Sequence, residues 1–239
     1  MNIKNKTILI TGANRGVGEA LVNEALRRGA KKVYAGTRST LQHTDARVTP
    51  LALDVTSDLQ IQRAAHEIQG LDVLINNAGI ALYDDLSQLD AIEQQLAVNF
   101  FGPLKMSRAF WPVLIRSRGA IVNVLSLAAL APMPVIPAYS ISKAAAFSMT
   151  QSLRLFLAGQ GVTVHAVFLG PIDTDMTRGF EIPKASPELA AVGILDGLEK
   201  GEADIFPDPA SGPVADGFRN GVAKTLELEM AAFLPAERR

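Results

Sequence analysis

Thr7-Ile8-Leu9-Ile10-Thr11-Gly12-Ala13-Asn14-Arg15-Gly16-Val17-Gly18 is the stretch that decides the fold. An apolar, β-branched run leads into three glycines spaced Gly-x-x-x-Gly-x-Gly, and a helical pattern continues from Glu19 to Arg28. The order is strand, tight turn, helix. Such a turn aims free backbone N–H groups and the positive end of a helix dipole at a phosphate. An ordinary strand-to-helix turn also needs glycine, so the meaning of this loop depends on the rest of the chain.

The same alternation is repeated to the end of the sequence. Lys32 to Thr37, Val48 to Leu53, Leu71 to Ile75, Gly119 to Ser126, Val162 to Leu169 and Ala203 to Phe206 read as strands, mostly too apolar to face water. Asp58 to Gln69, Leu89 to Ile115, Ala138 to Ala158, Ser186 to Lys200 and Val214 to Phe233 read as helices. Kinks are expected at Pro103 and Pro112. No repeat or low-complexity linker separates two units. The expectation is one α/β domain over residues 1–239: a doubly wound, mostly parallel Rossmann-type sheet with helices on both faces. The C-terminal helix at 214–233 is expected to be peripheral.

Composition narrows the function. The chain of 239 residues carries 23 basic and 24 acidic residues, so no basic field invites nucleic acid. With no cysteine and three scattered histidines, neither thiolate chemistry nor a metal centre is expected. The N-terminus enters its first strand without a long apolar segment, so no signal peptide is expected, and the composition suits a cytoplasmic protein. Gly119 to Ser142 has no charged residue and is long enough to span a bilayer. Pro132, Pro134 and Pro137 oppose a continuous helix there, so a core strand plus an apolar loop is expected and no membrane span.

Tyr139 and Lys143 stand four apart, which places them on one face of a helix, and Ser126 ends the strand before them. A tyrosine is a poor proton donor or acceptor near neutrality, because its ordinary pKa is about 10. An adjacent ammonium favours the phenolate, and a serine hydroxyl can hold a substrate oxygen in line. Taken singly, these residues have plain readings as a boundary aromatic, a solvated lysine and a strand-end hydroxyl.

The chain resembles the short-chain dehydrogenases/reductases in its Ser126, Tyr139-x-x-x-Lys143 spacing, its Thr-Gly-x-x-x-Gly-x-Gly loop, Asn76-Asn77-Ala78-Gly79, and Gly170-Pro171-Ile172-Asp173-Thr174. The resemblance implies about seven strands and hydride transfer between a nicotinamide cofactor and a carbonyl carbon. It also implies catalytic roles for Asn99, Ser126, Tyr139 and Lys143: a water relay at Asn99, an oxygen held by Ser126, a proton from Tyr139, and a lysine that holds the nicotinamide ribose and lowers the tyrosine pKa. Cofactor contacts are expected from Gly12, Asn14, Arg15, Gly16, Val17, Gly18, Thr37, Arg38, Asp54, Val55, Asn76, Ala78, Gly79, Tyr139, Lys143, Gly170, Pro171, Ile172 and Thr174. Leu169 stands where the family usually has proline, so a less constrained backbone is expected there. A homo-oligomer, dimer or tetramer, is also implied, packed through the helices at 89–115 and 138–158.

The second strand ends without an acid: none occurs between Glu24 and Asp45, and Arg38 takes the position instead. A carboxylate would hold the ribose 2′-hydroxyl of NAD, whereas guanidinium groups at Arg38 and Arg15 match a 2′-phosphate. The cofactor expected is NADP(H). Leu127, Leu130, Met133, Val135 and Ile136, with Met176, Phe180 and Ile182 from a substrate loop at about 172–186, make an apolar pocket that suits a hydrophobic ketone or secondary alcohol. His165 reads as a packed strand residue. Two alternatives share some of these features. A 3-oxoacyl-acyl-carrier-protein reductase shares every motif but typically closes with an apolar strand and a Gly-Gly tail, where this chain has Glu202-Ala203-Asp204-Ile205-Phe206-Pro207-Asp208-Pro209. A non-catalytic nucleotide-binding regulator would not need the Tyr-Lys pair.

Overall fold

Seven parallel strands form one sheet in the order β3-β2-β1-β4-β5-β6-β7 in the computed structural model of the protein, which describes residues 1–233. The strands are β1 (Thr7–Thr11), β2 (Lys32–Thr37), β3 (Val48–Ala52), β4 (Val73–Asn76), β5 (Ala120–Ser126), β6 (Thr163–Leu169) and β7 (Asp204–Ile205). The expected extent of the domain to residue 239 has its last six residues outside the described ones. The helices are α1 (Gly16–Arg27), α2 (Asp58–Glu67), α3 (Leu89–Leu96), α4 (Gly102–Ser117), α5 (Pro137–Ala158), α6 (Pro187–Lys200), α7 (Ala215–Arg219) and α8 (Val222–Met230).

Period-two alternation within these apolar strands supplies both faces of the sheet. Ile8 and Ile10 of β1 pack in one core with Leu21 and Ala25 of α1 and Ile194 and Leu198 of α6. Leu9 between them joins the opposite core, with Ile61 of α2, Phe110 and Leu114 of α4 and Leu153 of α5. Phe110 is fully buried, and burying such a side chain contributes about 2 to 3 kcal/mol. Local signals place the helix starts as expected: the Ser57 and Ser186 hydroxyls accept from Gln60 and Leu189 N–H, and Pro187 occupies the first turn of α6.

The sheet order reverses between β1 and β4, and there the loops after the two strands lie side by side. The Thr11 hydroxyl accepts from Asn77 N–H and Ala78 N–H, both at 3.0 Å, and the Asn77 amide donates to the Thr11 and Gly12 carbonyls at 2.9 and 3.1 Å. At the two ends of the sheet, β3 has Pro50 at its centre and β7 is only two residues long.

Three details differ from the expected pattern. The stretch from Leu89 divides at a π-helical turn over Ala97–Phe101, which ends two residues before Pro103. Pro103 follows directly on that turn and has no N–H for the Asn99 carbonyl four residues before it, and α4 continues past Pro112. Pro112 and Arg108, whose carbonyl loses its partner, both face solvent, so water can satisfy that group. The C-terminal pattern divides into α7 and α8 at Asn220-Gly221, and it lies on the surface.

Candidate active site

A cavity of about 890 Å³ opens along the C-terminal ends of β1, β4, β5 and β6. At one end lie the glycine loop, with Gly12, Asn14, Arg15, Gly16, Val17 and Gly18, and beyond it Thr37, Arg38, Asp54 and Val55. At the other end Ser126, Tyr139 and Lys143 meet, with Ala78, Gly79, Gly170, Pro171, Ile172 and Thr174 on the walls between. The loop favours glycine at all three positions, Gly16 having φ +55°. Gly12 has φ +66°, and a Cβ on Gly18 would lie 2.0 Å from the Gly12 carbonyl oxygen. That crowding holds the start of α1 close against the turn, with its first N–H groups open to the cleft.

Arg15 and Arg38 are placed differently. Arg15 Nη1 lies 3.0 Å from Asp175 Oδ2 across the mouth of the cleft, and Asp175 also pairs with Arg178. Arg38 lines the cavity, and among the described residues no carboxylate stands within ion-pair distance of it. Burial works against the charged form of Asp54, but hydrogen bonds from the Thr56 N–H and hydroxyl, with Arg38 nearby, hold its carboxyl below the usual range. Ser39 belongs beside Arg38, although the spacing of motifs gave no sign of it. Its hydroxyl lies 3.2 Å from the Thr37 hydroxyl and accepts from the Asn14 amide at 3.3 Å, which makes a cluster of donors where a ribose phosphate would sit.

At the reacting end, Tyr139 and Lys143 leave the same face of α5, with Lys143 Nζ 5.6 Å from the centre of the Tyr139 ring. Lys143 is 5% exposed and donates to the Val124 carbonyl at 2.8 Å. Burial pushes its ammonium down to about 8. Burial also pushes the Tyr139 phenol up to about 12, with only the Ser126 hydroxyl opposing. The expected lowering of the tyrosine pKa by the lysine is therefore corrected: loss of water on burial is the largest influence on the phenol and raises it.

Two expected site residues lie off the cavity. Asn76 shares a face of β4 with Leu74, beneath α4 and α5, and its amide donates to Asn123 Oδ1 at 2.8 Å and Ser107 Oγ at 3.3 Å. Asn76 was expected among the cofactor contacts; its neighbour Asn77 is the one that lines the cavity. Alternation along β4 carried that signal. Asn99 is 1% exposed, within the π-helical turn, and its side chain is fully engaged. It accepts from Ile80 N–H at 2.9 Å and donates to the Ile80 carbonyl and Ser142 Oγ at 2.8 and 2.9 Å. It braces the wall behind Gly79, where a Cβ would lie 3.2 Å from Asn99 Oδ1 and 3.6 Å from Lys143 Nζ.

The segment after β6 is better held than Leu169 suggested. The carboxylate of Asp208, buried at 5% exposure, accepts from Gly170 N–H at 2.9 Å and from Ala210 and Ser211 N–H. The excursion beyond it closes on itself through the Ile172–Ala185 bridge. Leu127, Met133, Ile136, Met176, Phe180 and Ile182 line the cavity, whereas Leu130 packs against the Leu125 and Phe168 cluster and Val135 faces solvent. His165 is a packed strand residue: Nδ1 donates to the Glu202 carbonyl, Nε2 accepts from the Thr163 hydroxyl, and burial holds its pKa below the usual value.

A glycine turn at the switch point of a doubly wound sheet, facing a Ser-Tyr-Lys cluster whose tyrosine and lysine are buried, defines a dinucleotide-binding oxidoreductase. The chain belongs to the short-chain dehydrogenases, whose family model matches residues 6–184. It is 38% identical over 201 residues to the short-chain dehydrogenase ptmH of Penicillium ochrochloron, covering 79% of this chain and 74% of that one. It is 30% identical to the estradiol 17-beta-dehydrogenase 2 of Rattus norvegicus, over 95% of this chain and 60% of the relative. Among solved structures, a short-chain dehydrogenase from Burkholderia cenocepacia in complex with NADP superposes with a TM-score of 0.88, at 37% identity, over 98% of this chain and 100% of the other. An NADPH-bound carbonyl reductase from chicken fatty liver gives 0.76 at 26% identity, over 84% and 98%. No helix among the described residues is long and apolar enough to cross a membrane.

Proposed function

We propose that the protein interconverts hydrophobic ketones and secondary alcohols with NADP(H). The observation that carries this reading is the cavity that joins Arg38 and the glycine loop at one end to Ser126, Tyr139 and Lys143 at the other. The residues present fit the cofactor: the crowded glycine turn suits a pyrophosphate, and Arg38 with Ser39 and no acid at the end of β2 suits a 2′-phosphate. The NADP and NADPH bound by the two structural relatives support the same choice.

When bound, the nicotinamide supplies or accepts the hydride. The protein's own residues handle the oxygen. Ser126 holds it in line, and Tyr139, protonated at neutral pH because its pKa is pushed up to about 12, gives the proton that completes a reduced alcohol. Lys143, fixed by the Val124 carbonyl, provides the nearby positive charge toward a nicotinamide ribose and a forming phenolate. The substrate side is apolar and roofed by rings: Tyr83 and Phe180 stack with centroids 5.8 Å apart and planes 21° apart. That roof favours aryl or bulky alkyl ketones over small polar ones.

A cytoplasmic setting suits the cysteine-free sequence. Assembly as a dimer or tetramer is part of the same reading, supported by Ile141 and Phe156, exposed at 45% and 46% on α5. The test is a panel of aryl, alkyl and anionic ketones and their alcohols, assayed with NADPH and with NADH. Tyr139→Phe should keep NADPH binding and lose turnover by orders of magnitude. Wild-type preference for small anionic ketones, or near wild-type turnover by the Phe variant, would overturn the reading.

A further inference from the structure

We propose that Asp84, braced by Gln95, is a positioning residue for Tyr139, acting through the first turn of α5. This rests on the reading of Tyr139 as the proton donor. The helix that carries Tyr139 begins without a cap of its own. Ile136 stands at the cap position with no acceptor in its side chain, and Pro137 has no N–H to offer. The Ser140 N–H turns back to the Ile136 carbonyl at 3.2 Å. That leaves two orphan N–H groups in the first turn, those of Tyr139 and Ala138, and the second is the one with a side-chain partner. It is met from another part of the chain: Asp84 Oδ1 and Oδ2 lie 3.2 and 3.3 Å from it.

Asp84 is itself held. Gln95, fully buried in α3, directs its amide N–H toward Asp84 Oδ2 at 3.5 Å, while its carbonyl accepts from Leu82 N–H at 3.1 Å. The Leu86 N–H also donates to Asp84 Oδ1, at 3.3 Å. The carboxylate thus has a donor from Gln95 and one from Leu86 on its own side, both at long range, and faces the start of the catalytic helix. A carboxylate at a helix N-terminus also matches the dipole, which strengthens the contact. The preceding residue, Tyr83, stacks on Phe180 at the edge of the cavity, so one short segment reaches both the substrate side and the start of α5.

Loss of this brace should let the first turn of α5 shift, and displacement of a reacting group by about 1 Å can cost about a hundredfold in rate. In the full-length enzyme, Asp84→Ala should lower kcat per folded molecule by about ten- to a hundredfold, with the Kd for NADPH and the KM for the ketone within about twofold of wild type. Asp84→Asn, which keeps an acceptor at the same reach, should recover most of that loss. Asp84→Ser removes the carboxylate with a smaller change and takes the place of the alanine variant if that one does not fold. An unchanged kcat in a folded variant would overturn the proposal, as would a parallel loss of NADPH binding, which marks general damage. A wild type that turns over no ketone or alcohol would instead remove the functional reading on which it stands.

Discussion

Replacing Lys143 by methionine should abolish a pH dependence of stability, so that wild type gains on the variant as pH rises from 8 towards 10.5. The lysine is 5% exposed and its pKa falls from 10.5 to about 8, because burial penalises the ammonium. One pKa unit corresponds to about 1.4 kcal/mol. The folded state therefore carries a penalty of about 3 kcal/mol below pH 8, where both states are protonated, and it fades as pH rises from 8 towards 10.5, where the folded lysine is already neutral. The unfolded chain binds the extra proton in that window, so wild-type stability climbs with pH relative to the variant. Methionine keeps an unbranched apolar stem but gives up the bond to the Val124 carbonyl, which costs about 1.5 to 3 kcal/mol, so the absolute difference at pH 7 is small. The pH dependence is the sharper quantity, since other titrations cancel between the two proteins. Urea unfolding at pH 7 and pH 10 should show wild type gaining about 2 to 3 kcal/mol on Lys143→Met. A difference that stays constant across that range would refute a buried, depressed lysine, whatever happens to activity.

The cavity carries three further expected outcomes. Arg38→Leu should raise the KM for NADPH at least about tenfold and leave that for NADH within about twofold, because a charge-assisted contact contributes about 1.5 to 3 kcal/mol; equal effects on both cofactors would remove Arg38 from the phosphate site. Gly18→Ala places a Cβ 2.0 Å from the Gly12 carbonyl oxygen, so its thermal unfolding should report a loss of about 3 kcal/mol or more and NADPH binding should fail even where folding survives. Tyr83→Ala should raise KM several-fold for aryl ketones and little for small alkyl ones, a contrast that a uniform rise in KM would contradict.

The sheet and most of its helices were legible because apolar strands, serine caps and glycine turns act locally, within a few residues. The cluster of Ser126, Tyr139 and Lys143 was legible for a different reason: spacing puts Tyr139 and Lys143 on one helix face, but it was the resemblance of the whole chain to a known family that set them, with Ser126, above their plain readings. Contacts across the chain were not. Nothing near residue 138 in the sequence points to Asp84, and nothing near Leu169 points to Asp208, because each supplies its carboxylate from a remote loop. The π-helical turn at Asn99 is only half marked: Pro103, four residues on, removes the N–H that the Asn99 carbonyl would meet, but nothing in the sequence says that the helix answers with a π turn there. The direction of the tyrosine shift is equally hidden, because proximity to a lysine can be read from spacing and depth of burial cannot.

The two ends of the sheet bear on how copies of this molecule can meet. An open parallel sheet presents unpaired backbone N–H and carbonyl groups along each border, and such borders template strand addition between molecules. Here Pro50 interrupts one border from its middle, and the other is a strand of two residues. Neither offers a run of free ladder positions long enough to recruit a neighbouring strand. Self-association by continuing the sheet is thereby discouraged, and with it the route to fibrous aggregation, so orderly assembly is left to side-chain surfaces on helices and loops.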